Sequence, residues 1–137
     1  MPRTYLLEAS NVRRVVPDGA IGTYRLGHLR AGHFVHTYFG RSDTNGRRRL
    51  LFHVANAPET HFQWFPAATP YDAFRVECGL WHLELPHARN RIHPDAPSGI
   101  AHQCPYCLLG RDAATRGIGA ALTTSPTYQS SLAQEAA

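Results

Sequence analysis

Two phenols, an arginine with an imidazole four residues later, and one helical carboxylate follow one another along this chain. Tyr24 closes Gly22-Thr23-Tyr24, and Tyr38 opens Tyr38-Phe39-Gly40-Arg41-Ser42 fourteen residues later. Arg47-Arg48-Arg49-Leu50-Leu51-Phe52-His53 comes next, and Glu77 ends Tyr71-Asp72-Ala73-Phe74-Arg75-Val76-Glu77. Cleaving a phosphodiester needs a base, a cation against the phosphate and a carboxylate for a metal, and all three residue types are here. A free tyrosine has a pKa of about 10, so its phenolate is useful at neutral pH only beside cations. Arg41 and Arg49 are the candidates, and a planar guanidinium fork also suits phosphate oxygens. A hard cation such as magnesium keeps several of its waters and needs only one or two carboxylates, so Glu77 alone suffices.

A second group of donors lies downstream. Cys104-Pro105-Tyr106-Cys107 is half of a zinc site by spacing, and His102 with His93 or His87 could complete a tetrahedral set. The alternative is two reduced thiols in a loop. A thioredoxin-like pair is disfavoured, because these cysteines do not open a helix after a buried strand. Cys78 falls on an apolar helical stripe and reads as core.

The elements that must position these residues can be read from pattern. Pro17-Asp18-Gly19 is a turn leading into a strand over residues 20–26, with Ile21, Thr23 and Arg25 on one face and Gly22, Tyr24 and Leu26 on the other. Residues 34–40 form a second strand, and the glycine-bounded connection between them favours an antiparallel hairpin with Tyr24 near Tyr38. Turn and cap chemistry over residues 41–46 precedes a short helix over 47–55, where Arg49 and His53 share a face. Residues 61–65 alternate as a third strand. Thr69-Pro70-Tyr71-Asp72 then supplies an N-cap, a first-turn proline and an acid three residues on, opening a helix that runs to about Leu85. Phe74, Cys78, Trp81 and Leu85 make its apolar stripe, and Glu77 lies beside Ala73 and Trp81. The expected fold is therefore α/β of the α+β type, a small three-stranded antiparallel sheet flanked by helices. An irregular Cys/His-containing appendage follows at the C-terminal end.

A chain of 137 residues with 43% hydrophobic content has the size and apolar content of one core. It divides into an N-terminal arm or edge strand over 1–18, a domain over 19–85, the Cys/His appendage over 86–110 and, over 111–137, a segment low in aromatic and charged residues that is expected to be a mobile tail. No stretch has the length of a membrane span or a secretory signal, and three cysteines do not build a secreted disulfide framework, so a reducing cytoplasm is the expected compartment. All 14 basic residues are arginine. Residues 1–49 hold nine of them against Glu8, Asp18 and Asp43, for +6, while residues 50–137 hold five against seven acids, for −2. The basic half contains the tyrosines, which suits a polyanionic partner.

The order Gly-x-Tyr, Tyr-x-Gly, arginine with a ring residue four later, then a helical glutamate resembles the GIY-YIG nuclease domain over roughly residues 19–85. Thr23 and Phe39 stand where that family usually carries isoleucine or valine, both as strand side chains. The family's helical arginine often lies ten residues after the second tyrosine, where Arg48 stands, but Arg49 fits better by its relation to His53. The resemblance implies a metal-dependent endonuclease acting on DNA, with Mg2+ or Mn2+ at Glu77. It gives Tyr38 and Tyr24 the roles of base and water-orienting group, and places Arg49 against the phosphate. His53 completes the implied catalytic set, and Arg41 and Arg48 are expected as nucleic-acid contacts. Two other readings stand beside it. One is a catalytically silent domain of the same fold that binds nucleic acid or a protein. The other is a zinc-stabilised interaction module whose histidine-rich end is the working surface. The compact size suggests that selectivity comes from substrate structure or from a protein partner.

Overall fold

β-branched and aromatic residues alternating with small and polar ones set up the central hairpin. Its strands, β2 (Gly22–Arg30) and β3 (His33–Ser42), pair antiparallel along their length in the computed structural model, which describes residues 2–84, 89–90, 92–99 and 104–107. The strands are longer than the pattern predicts, because the turn is only Ala31-Gly32, at φ of 50° and 77°. Two consecutive left-handed residues give the twist a tight hairpin needs, and glycine adopts that φ without strain. Tyr24 pairs with Gly40 and Leu26 with Tyr38, so both tyrosines project from one face.

β4 (His61–Pro66) pairs with the other edge of β2, and β1 (Tyr5–Leu6) pairs with β4, giving the antiparallel order β1-β4-β2-β3. The sheet thus has four strands rather than the three expected. Two residues are too few to show alternation. They are placed by the open edge of β4 and by the Tyr5 ring, 5.4 Å from that of Phe62.

The same N-terminal segment also carries α1 (Ala9–Val15), which pattern did not reveal. A helix of seven residues without a side-chain cap is unstable alone. Val12 and Val16 hold it by full burial, and Arg47 donates to the Val16 and Arg13 carbonyls at 2.8 Å each.

The remaining helices start where side-chain chemistry predicts. The Asn45 side chain accepts from Arg48 N–H at the start of α2 (Gly46–Asn56), and it also accepts from Gly19 N–H and donates to Asp18. The Pro17-Asp18-Gly19 turn is thereby tied to the helix. At α3 (Pro70–Glu84), Thr69 accepts from Asp72 N–H at 3.1 Å and donates to the Asp72 carboxylate at 3.0 Å.

Helices cover both faces of the sheet. On the tyrosine face, Tyr24, Leu26, Phe62 and Trp64 pack with Val12, Val16 and Leu50 from α1 and α2. On the other, Phe39 packs with Val76 and Leu80, and the Thr23 hydroxyl donates to the Ala73 carbonyl at 2.9 Å. The glycines of the two tripeptides are fixed by close approach. A Cβ on Gly40 would lie 2.5 Å from the Tyr24 hydroxyl, and one on Gly22 would lie 2.5 Å from the Trp64 ring and the Phe65 carbonyl. Among the described residues no helix is long and apolar enough to cross a membrane. The tail expected over 111–137, and with it His87 and His102, lies outside the described residues.

Candidate functional site

His53 is the point where the two tyrosines meet. It stands one turn after Arg49 on α2, with its Nε2 2.7 Å from the Tyr24 hydroxyl. Its ring centroid is 5.2 Å from that of Tyr24 and 5.3 Å from that of Tyr38. Burial lowers the His53 pKa to about 4, with the Arg49 and Arg89 charges pushing the same way and Glu59 opposing. The imidazole is therefore neutral at physiological pH. Burial also drives the Tyr24 phenol well above its ordinary value, with Tyr38 adding to the rise and a hydrogen bond from Arg49 opposing it. The Tyr24 hydroxyl and His53 Nε2 share one hydrogen bond, with the Arg49 charge nearby. Tyr24 is wholly buried, whereas Tyr38 keeps some solvent access.

The cation next to Tyr38 is one that sequence reasoning missed. The Arg89 guanidinium lies 4.3 Å from the Tyr38 ring centroid and forms two 2.9 Å hydrogen bonds to the Glu59 carboxylate. Thr37 donates to the same carboxylate at 2.7 Å. Burial pushes Glu59 up, but the bonds from Arg89 and Thr37 outweigh it and hold the carboxyl below its ordinary range.

Arg41, expected at a phosphate, has three protein partners. It donates to Glu77 at 2.8 Å, to Asp43 at 2.8 Å and to the Asp95 carbonyl. Burial raises the Glu77 carboxyl's pKa, with Arg41 and Arg49 opposing and Asp43 adding to the rise. Such an oxygen donor suits a hard cation. Arg41 also lines an open groove of about 430 Å³ with Asp43, Asn45, Arg48, Arg49 and Phe52. Arg48 and Arg49 are exposed along it.

The cysteines form a separate cluster. Donor atoms of His82, His93, Cys104 and Cys107 lie within 4.8 Å of one another. His82 Nε2 is 3.4 Å from Cys104 Sγ and 3.6 Å from Cys107 Sγ, and His93 Nε2 is 3.5 Å from Cys107 Sγ. A zinc tetrahedron with ordinary bond lengths has nitrogen–sulfur edges of about 3.5 Å. His93 Nδ1 donates to the Pro94 carbonyl at 2.8 Å, which leaves Nε2 with its lone pair free for a metal. The residues present therefore fit a tetrahedral metal. His82, from the last turn of α3, completes the set for which the sequence offered His102. Its signal was its place on the predicted helix, but which end of that helix the cysteines would reach was not in the pattern.

The two regions are joined by the segment after α3. Arg89 N–H donates to the Thr37 carbonyl, and the Asn90 side chain accepts from Phe39 N–H at 3.0 Å and donates to the Phe39 carbonyl at 2.6 Å. These contacts fall on β3, the open edge of the sheet, whose backbone groups need partners. With the Asp95 contact to Arg41, they form a strap from the tyrosine site to His93. Comparison of the chain with family models, curated proteins and solved structures returns no match.

Proposed function

We propose that the protein hydrolyses phosphodiester bonds in DNA, with a divalent cation held at Glu77. The observation that carries this reading is the convergence of Tyr24, Tyr38, Arg49 and His53 beside an arginine-lined groove. Tyr38, the phenol with solvent access, orients the attacking water and takes its proton. The Arg89 guanidinium, 4.3 Å from its ring centroid, places a positive charge beside this phenol. Tyr24 keeps its proton and acts as a strut, its hydroxyl bonded to the His53 imidazole with Arg49 nearby. Arg49, exposed on the groove, neutralises charge that develops on the phosphate. Magnesium or manganese, when bound at Glu77, supplies positive charge against the leaving oxygen. DNA as substrate follows from the resemblance to GIY-YIG nucleases.

We further infer that zinc fills the His82, His93, Cys104 and Cys107 cluster in a structural role. Four protein donors leave no open position for a substrate. One observation favours a second reading of the groove as a silent nucleic-acid-binding module. Arg41 already pairs with Glu77, as it would in a purely structural network. Nicking of supercoiled plasmid by zinc-replete protein with added magnesium or manganese separates the two. Hydrolysis calls for metal-dependent nicking that Glu77→Gln abolishes, and binding without nicking by the unmodified protein supports the silent module.

A further inference from the structure

Phe52 has no part in the chemistry above, yet it sits in the groove. It is 57% exposed. A lone exposed phenylalanine means little, since single apolar side chains are common on protein surfaces. This one lines the same groove as Arg41, Arg48 and Arg49. It follows Arg48 and Arg49 by four and three residues on α2, so its ring lies one helical turn from theirs on the same side. The edge of the ring is braced by His53, with centroids 5.7 Å apart and planes at 75°. That packing steadies the ring while more than half of the residue stays open to solvent.

An aromatic face one turn from two exposed guanidinium groups matches the layout of a single nucleotide, with its phosphate at the cations and its base on the ring. We propose that Phe52 is a stacking platform for an unpaired base. The ligand class is then a nucleic acid with a single-stranded or flipped-out nucleotide beside the phosphate bound at Arg49. The proposal rests on the nucleic-acid reading of the groove and narrows its substrate. Within an intact duplex both faces of a base are already covered by its neighbours, so Phe52 has nothing to stack on. A strand at a gap, branch or end offers an open face, and base–aromatic stacking tolerates any sequence. Selectivity would then come from substrate structure rather than from base edges.

The test is a fluorescence titration of the full-length protein without added magnesium or manganese, so that binding is read apart from cutting. The probe is a short single-stranded DNA carrying 2-aminopurine, whose emission is quenched by stacking, compared with a relaxed closed-circular duplex that contains the same sequence and exposes no base face. Phe52→Ala should weaken single-strand binding roughly 5- to 100-fold and abolish the quenching. Phe52→Trp should retain both, and duplex affinity should be the same in all three proteins. Unchanged single-strand binding by Phe52→Ala, or an equal loss on both probes, overturns the proposal and leaves the nuclease reading standing. If the unmodified protein binds neither probe, both fall together.

Discussion

The centre around His53 and the cluster around His82 each gather residues from distant parts of the chain onto imidazole, but they are held in opposite ways. Tyr24, Tyr38 and His53 stand on β2, β3 and α2, inside or against the main core, and the protein itself supplies their partners. In the second cluster only His82 stands on a regular element, and its cysteine and histidine donors face one another. Packing preorganises the first, whereas the second presents a donor set that a metal could fasten. That difference separates their roles. The first can hold groups at fixed distances for chemistry, and the second, with the proposed zinc, would anchor the strap that carries Arg89 and Asp95 to the first.

Metal removal should break the comparison most strongly. Zinc-finger peptides gain roughly 10–16 kcal/mol of apparent free energy from their metal, and here part of that should appear as stability. Metal analysis should find one zinc per chain. Chelation, or Cys107→Ser, should lower Tm by about 10 °C or more, since each kcal/mol shifts Tm by about 4 °C at this size. A Tm unchanged by chelation would remove the fastening role.

The next effect belongs to the His53 centre and is read by pH. The folded protein holds His53 at about 4, below its ordinary 6.5, so the unfolded chain takes up a proton that the folded one refuses. Stability therefore rises with pH between about 4 and 6.5, and is lost as pH falls through that window. The full effect is on the order of 3 kcal/mol. Glu77 acts with the opposite sign, because its raised pKa makes the folded state hold its proton more tightly. The difference between the unmodified protein and His53→Gln isolates the imidazole. Denaturant unfolding at pH 4.5 and pH 7 should show the larger loss in the unmodified protein, and equal losses would contradict the assignment.

Smaller effects sharpen the picture. Gly40→Ala places a methyl group against the Tyr24 hydroxyl and should cost about 1–3 kcal/mol by denaturant unfolding. In a Tyr24→Phe background the cost should shrink only in part, because the hydroxyl is gone but the ring carbon that bore it still lies 2.7 Å from the new Cβ. Arg89→Lys gives up the two-pronged grip on Glu59 and should change stability by only about 1 kcal/mol.

What could be read from the sequence follows from how local each signal is. The hairpin, α2 and the start of α3 rest on residues a few positions apart, such as Thr69 with Asp72 or Asn45 with Arg48, and their patterns sufficed. β1 and α1 depend on surfaces supplied by β4 and α2, so Tyr5 and Val12 gave no usable periodicity. In the site, Tyr24, Tyr38, Arg49 and His53 could be placed together because one hairpin and one helix turn relate them. The pairing of Glu59 with Arg89 spans thirty residues and that of His82 with Cys104 twenty-two, and no local spacing encodes either. Arg41 illustrates the converse. Its position was legible, but its choice of Glu77 and Asp43 over solvent was decided by burial.

The central claim is that the tyrosine centre does chemistry while the cysteine cluster holds structure. Nicking rate, zinc content and Tm, measured on the same preparations of the unmodified protein, Tyr38→Phe and His82→Ala, test it most directly. The account predicts that Tyr38→Phe loses nicking by about two to four orders of magnitude with zinc and Tm unchanged. It predicts that His82→Ala loses zinc and stability. Full nicking by Tyr38→Phe, at unchanged zinc content, would contradict it.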